Sequence, residues 1–214
     1  MFSYAAYLNF SDNSELNNFR QSLGENQIAV TNLYKNYELD VLNKEIILNY
    51  AIDKANKKFF QNSAILQSCN NLWSFSSNCE PNFEQNYIDL LKEELEFYNT
   101  EADSIKIENN DLIVNFGSLE FKTKNEVIDA TYSNEATITK IPLDFTKLNS
   151  IKSELRSCIL NNKLKTCFEN QQENNNILTI NTDIKTTYFL NNKVETSNFN
   201  FKIDTKNTGL NSLF

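Results

Sequence analysis

From residue 25 to residue 61 the chain contains neither glycine nor proline. Within that stretch Val30, Leu33, Tyr37, Val41, Leu48, Ile52, Ala55 and Phe59 recur at threes, fours and one seven. This is the spacing of a single apolar stripe on an amphipathic α-helix. Lys35, Glu38, Asp53, Lys57 and Lys58 fall on the opposite side. Such a helix would run roughly 50 Å at 1.5 Å per residue, a reach that a small globular core does not need. A stalk, a partner helix or an assembly interface does need it. The alternative is a split near Asn43 into two ordinary helices.

Upstream, residues 11–15 offer several N-caps. Leu16, Phe19 and Leu23 follow at helical spacing, and Gly24 reads as a break or C-cap. Residues 1–24 therefore form an N-terminal segment of their own. Its first ten residues are apolar and aromatic but too short to span a bilayer. They are read either as the stub of a longer anchor or as a short docking segment. Asn9 opens an Asn-Phe-Ser sequon and is a glycosylation candidate.

The 4 cysteines fall in two local pairs, Cys69 with Cys79 and Cys158 with Cys167. With no histidine, a zinc site would need all the thiolates, and neither pair has the short spacing of a zinc motif. Two disulfides formed in an oxidising compartment are the expectation. Free buried thiols and a thiolate metal site are the alternatives. Between the first pair, Leu72, Trp73 and Phe75 form an apolar plug, with the only Trp expected in the core rather than at a recognition tip. Pro81 suits the first turn of a second helix over 82–98, with Glu80 near its positive end. That helix carries Phe83, Tyr87, Leu90, Leu91, Leu95 and Tyr98 as its stripe, and Glu93, Glu94 and Glu96 as a solvated face.

From Ser104 the apolar period changes to two. Ile105 and Ile107, Leu112 and Val114, and Leu119 and Phe121 read as a meander, with turns at 109–111 and at Gly117-Ser118. Residues 127–132 and 136–141 are expected to pair across 133–135. Asp144 or Thr146 caps a third helix with the stripe Phe145, Leu148, Ile151, Leu155, Cys158 and Ile159. Past the Asn-rich loop at 174–176, residues 177–180, 184–190 and 194–203 read as strands, with a turn at Asn191-Asn192. The predicted fold is α+β: a long N-terminal helix, a helical hairpin-like region, then an antiparallel sheet with one late helix. The division is 1–24 (anchor-proximal), 25–100 (helical, with the Cys69–Cys79 loop) and 101–214 (β-rich).

A net charge of -8 disfavours nucleic acid and anionic lipid, which would repel it. The chain lacks histidine, and its 3 glycines cannot build a phosphate-binding loop. Cysteine catalysis usually wants a histidine partner. No catalytic residue, cofactor or metal is assigned; a carboxylate-pair hydrolase is the remaining enzymatic alternative.

The runs Gly24-Glu-Asn-Gln27 and Tyr34-Lys-Asn-Tyr-Glu38, then 42–55, Asn71-Leu-Trp73 and Cys79-Glu-Pro81, resemble a group of uncharacterised proteins from DPANN archaea (Woesearchaeota and Nanoarchaeota). In that group a membrane-spanning N-terminal helix leads to a long helix, a Cys-containing Leu-Trp loop and a β-rich part with a second Cys pair. The resemblance implies a protein held outside the membrane and carries over no catalytic residue. The expected function is a non-enzymatic cell-surface or extracellular structural protein, self-associating or membrane-attached through its N-terminal helix. Pilin-like subunits share this plan, although their processing motif is not seen. An accessory binding domain for an envelope enzyme or polymer is the other non-enzymatic reading.

Overall fold

The computed structural model describes residues 14–62, 64, 72–74, 79–124, 129–161, 167, 171–174, 177–190 and 193–204. In chain order the elements are α1 (Ser14–Gln61), β1 (Leu72–Trp73), α2 (Phe83–Phe97), β2 (Ser104–Glu108), β3 (Asp111–Lys124) and β4 (Asp129–Lys140). They continue with α3 (Phe145–Leu160), β5 (Gln171–Asn174), β6 (Ile177–Tyr188) and β7 (Lys193–Asp204). The fold is α+β, with two sheets in the strand orders β1-β7-β6-β5 and β2-β3-β4. The chain divides into two compact units, one of residues 44–117 and 137–214, the other of residues 1–43 and 118–136.

Helix α1 is continuous over 48 residues, so neither the break at Gly24 nor the split near Asn43 occurs. Glycine inside a helix weakens it but does not stop it when both flanks propagate. A Cβ placed on Gly24 would meet nothing within 4 Å. Gly24→Ala is therefore expected to raise stability by about 0.5–1 kcal/mol, because it removes unfolded-state freedom without a clash. Urea midpoints check this; a lower midpoint would mean that the glycine is needed there.

In the larger unit the α1 stripe is fully buried at Leu48, Ile52, Ala55 and Phe59. Phe59 is a hub of aromatic contacts. Its ring lies 5.5 Å from Tyr87, 6.4 Å from Phe83, 6.5 Å from Phe145 and 6.3 Å from Phe199. Trp73 is completely buried and stacks on Phe201 at 4.4 Å, as the plug reading expects. Leu72 and Trp73 are not simply loop, however: they form β1, pairing in parallel with Lys202 and Ile203. The predicted partners in the plug and turn, Phe75, Asn191 and Asn192, lie outside the described residues, as does the tail at 205–214.

Asp53 was expected on the solvated side of α1 but is buried. Its carboxylate accepts the N–H groups of Phe189 (2.9 Å) and Leu190 (3.3 Å), which close the end of β6. One turn on, Asn56 donates to the Thr187 carbonyl at 3.1 Å and accepts the Tyr87 hydroxyl at 2.8 Å. Buried polar groups are tolerated when hydrogen-bonded, so this polar seam docks the helix on the β6–β7 pair. Burial pushes the Tyr87 hydroxyl well above its ordinary 10.0, with the Asp53 charge adding to the effect. The native state thus holds this proton more tightly than the unfolded chain. The stabilisation is fully present below about pH 10 and declines as pH rises past that value. Urea titrations should show stability falling above about pH 10 in the native chain. Tyr87→Phe should flatten that decline while costing about 1–2 kcal/mol at neutral pH for the orphaned Asn56 oxygen. An unchanged alkaline slope in the variant would contradict the assignment.

Helix α2 starts at Phe83 behind the N-cap Asn82, so Pro81 precedes the helix rather than occupying its first turn. Glu94 is buried, not solvated, and with Glu93 it clasps Lys58 at 2.6 and 2.7 Å. Asp144 caps α3 by accepting the Lys147 N–H at 3.0 Å, and Phe145, Leu148, Ile151, Leu155 and Cys158 form its buried face. Asn99, Asn109 and Asn110 take positive φ at turns, where asparagine is the best substitute for scarce glycine.

The strands are longer than the sequence suggests. Strand β3 runs unbroken through Gly117, whose φ is +78°. A Cβ there would strike the Asp103 carboxylate. The inward positions change at this residue, from Leu112, Val114 and Phe116 to Leu119 and Phe121, the signature of a bulge that breaks the period of two. Residues 133–135 form no turn but lie within β4, where all three are exposed. Strand β5, which the sequence does not announce, ends at Asn174, the first residue of the expected Asn-rich loop, and pairs antiparallel with Ile177–Ile180 of β6.

Candidate interaction surface

The smaller unit is built on residues 14–43 of α1 and on residues 118–124 and 129–136 of the β3–β4 pair. Among the described residues its helix buries Leu33 and Tyr37. The Tyr37 ring meets Tyr132 at 4.8 Å and Phe121 at 6.3 Å, both edge-on, and Tyr34 meets Tyr132 at 5.4 Å. The Ser118 and Ser133 hydroxyls lie 2.9 Å apart across the two strands. Burial is the main cause raising the Tyr37 hydroxyl pKa, with an Asn134 hydrogen bond opposing it. The Tyr34 hydroxyl is raised chiefly by its hydrogen bond to Glu38.

Most of the apolar side chains on this helix face solvent instead. Leu23, Ile28, Val30, Tyr34, Leu39 and Leu42 are between 45 and 62% exposed. Isolated exposed hydrophobics need no explanation, but six recur on this one helical segment, and apolar side chains gathered on a face mark interaction sites. At about 100° per residue they sort into two stripes. Leu23, Val30 and Tyr34 continue the predicted stripe. Ile28, Leu39 and Leu42 form a second one that the sequence reading missed, and the exposed Ile46 and Tyr50 continue it along α1. Its signal was the interval of eleven residues from Ile28 to Leu39, three helical turns, hidden among polar neighbours. Val30 was expected in a buried stripe and is instead half-exposed.

The cysteines singled out by spacing lie elsewhere, in the larger unit. Cys158 and Cys167 form a disulfide with Cα atoms 6.2 Å apart. Cys79 is disulfide-bonded, while Cys69 and Asn9 lie outside the described residues. Glu80, beside Cys79, pairs with Lys152 (3.2 Å) and Arg156 (3.1 Å) of α3, the helix that carries Cys158. The two cysteine regions are thus tied together by charge through Glu80.

Two open clefts in the larger unit are each lined by a pair of glutamates. One, of about 340 Å³, is lined by Glu84 and Glu108 with Ile88, Ile105 and Ile107. The other, of about 270 Å³, is lined by Glu96 and Glu101 with Leu95 and Ile105. Glu96, Glu101 and Glu108 are exposed, and Glu84 is half-buried with its carboxylate accepting an N–H from Asn149 at 3.1 Å. Among the described residues no group of three or more His, Cys, Asp and Glu could hold a metal ion. Among the same residues no helix is long and apolar enough to cross a membrane. Comparison with protein-family models, with curated proteins and with solved structures finds no match to this chain.

Proposed function

We propose that this protein is a non-enzymatic structural protein of the cell surface or extracellular space that assembles with its own kind through helix α1. The observation that carries this reading is the exposed apolar surface of residues 23–42. Leaving it in water forgoes roughly 25 cal/mol for each Å² that a partner could cover. A partner of protein fits it better than a lipid surface. A helix lying on a membrane has one apolar face and a cationic polar face. Here the apolar residues lie on two sides, and the segment carries Glu25, Glu38 and Asp40 beside a single lysine, Lys35. The disulfide in the larger unit is consistent with an oxidising compartment.

Sedimentation velocity across a range of concentrations tests the proposal. The intact chain should associate reversibly, and a chain with Leu23, Ile28, Val30 and Leu42 all changed to aspartate should remain monomeric. An intact chain that stays monomeric at every concentration rejects the reading.

A further inference from the structure

A sheet edge without proline or clustered charge is a template for a further strand. Strand β4 ends the sheet of β2, β3 and β4, so among the described residues one edge of its main chain has no strand beside it. It is 12 residues long and contains no proline, and over residues 130–136 Glu135 is its one charge. Thr131, Ser133 and Glu135 are exposed. The Glu135 N–H donates to the adjacent Asn134 side chain at 2.9 Å, a local substitute for a strand partner. At the other end of the sheet, β2 has 5 residues and carries Lys106 and Glu108 among them, the short, charged form of an edge that resists pairing.

Helix α1 is placed to cover what a strand added to β4 would bring. Tyr37 meets Phe121 of β3 and Tyr132 of β4, whereas Tyr34, about 60° farther round the helix, meets Tyr132. The flank of α1 that carries Tyr34 is therefore turned toward the free edge. Leu23 and Val30 lie within about 40° of Tyr34 on that flank. Because α1 rests over the β3–β4 pair, two copies joined edge to edge would hold their helices about two strand spacings apart, roughly 10 Å. Helices pack at about 8–10 Å, so the first stripes of the two copies meet above the joined strands. Glu38, at the rim, accepts the Tyr34 hydroxyl. The second stripe lies on the side of α1 roughly opposite Leu33 and Tyr37 and is left to a different contact of the assembly.

We infer that β4 pairs antiparallel with β4 of a second copy about a two-fold axis, so that one sheet runs through both copies and their first stripes are buried against each other. This rests on the self-association proposed above and adds a strand edge to its helix surface. A two-fold contact uses the same patch on both partners, as an edge pairing with itself requires.

Hydrogen exchange and cross-linking test it, at concentrations where sedimentation velocity finds the intact chain monomeric and associated. On association, alternate main-chain amides of residues 130–136 should exchange about tenfold more slowly, because an antiparallel partner takes every second N–H. The amides of β2 should not change. Thr131→Cys, Ser133→Cys and Glu135→Cys each place a thiol at an exposed position of β4. Opposite residues of an antiparallel pair stand about 4.5–5.5 Å apart at Cα, within reach of a disulfide. Under mild oxidation a link between copies should form at one of these positions or between two different variants, according to where the axis falls. Val194→Cys, in the larger unit, should form none. Self-links of equal yield at all three positions mean parallel strands and overturn the two-fold pairing. An intact chain that associates with no slowing of the β4 amides and no links overturns the inference and leaves self-association standing. An intact chain that never associates removes both.

Discussion

Phe59→Ala is expected to remove about 3–5 kcal/mol of unfolding free energy, the usual cost of emptying a buried phenylalanine site. The position justifies the upper part of that range. Phe59 is completely buried, and its ring contacts residues from α2, α3 and β7 as well as its own helix. Collapse into the space is opposed on every side by large rings that already contact one another, such as Tyr87 and Phe145 at 5.3 Å. For a chain of this length the loss corresponds to roughly 2–4 °C of melting temperature per kcal/mol. Chemical denaturation of the two proteins measures it. A loss below about 1.5 kcal/mol would place the centre of the core elsewhere.

Phe59 also shows what the sequence makes legible. Its place in the stripe follows from helical spacing alone, as do the α3 face and the Asp144 cap, because both depend on local periodicity and a single capping side chain. Features that depend on distant partners do not announce themselves. Asp53 reads as a surface residue until the β6–β7 turn brings two N–H groups to it. The polar run Gln171–Asn174 does not announce a strand, because an edge strand is held by main-chain bonds, here to Ile177–Ile180, whatever its side chains. Residues 133–135 mimic a turn because exposed strand positions accept turn-forming residues. Gly117 reads as the end of a strand, since a bulge and a break remove the same alternation. The second stripe on α1 was hidden for a different reason. One buried face is enough to account for an amphipathic helix, and only side-chain exposure in the fold reveals that a second face is apolar too.

The second large effect concerns that surface. Fully burying a leucine or valine side chain is worth about 1.5–3 kcal/mol. Leu23 and Val30 are already about half covered, so each gains roughly half of that on assembly. Changing both to aspartate should therefore weaken association by about 1.5–3 kcal/mol, or roughly 10- to 140-fold at 1.4 kcal/mol per tenfold. Placing carboxylates at the contact adds to the loss. The same pair of changes should leave thermal unfolding of the larger unit unaltered, because neither residue belongs to it. A variant that associates as well as the parent would show that the surface has another use.

The central claim is that residues 23–42 are covered by another copy. Hydroxyl-radical footprinting of dilute and concentrated protein tests it side chain by side chain. In concentrated protein, Leu23, Ile28, Val30, Tyr34, Leu39 and Leu42 should lose reactivity together. Leu190 and Val194, exposed residues of the larger unit, serve as internal references and should react equally in both samples. Equal reactivity of the helix residues at both concentrations, or protection at Val194 in their place, would contradict the account.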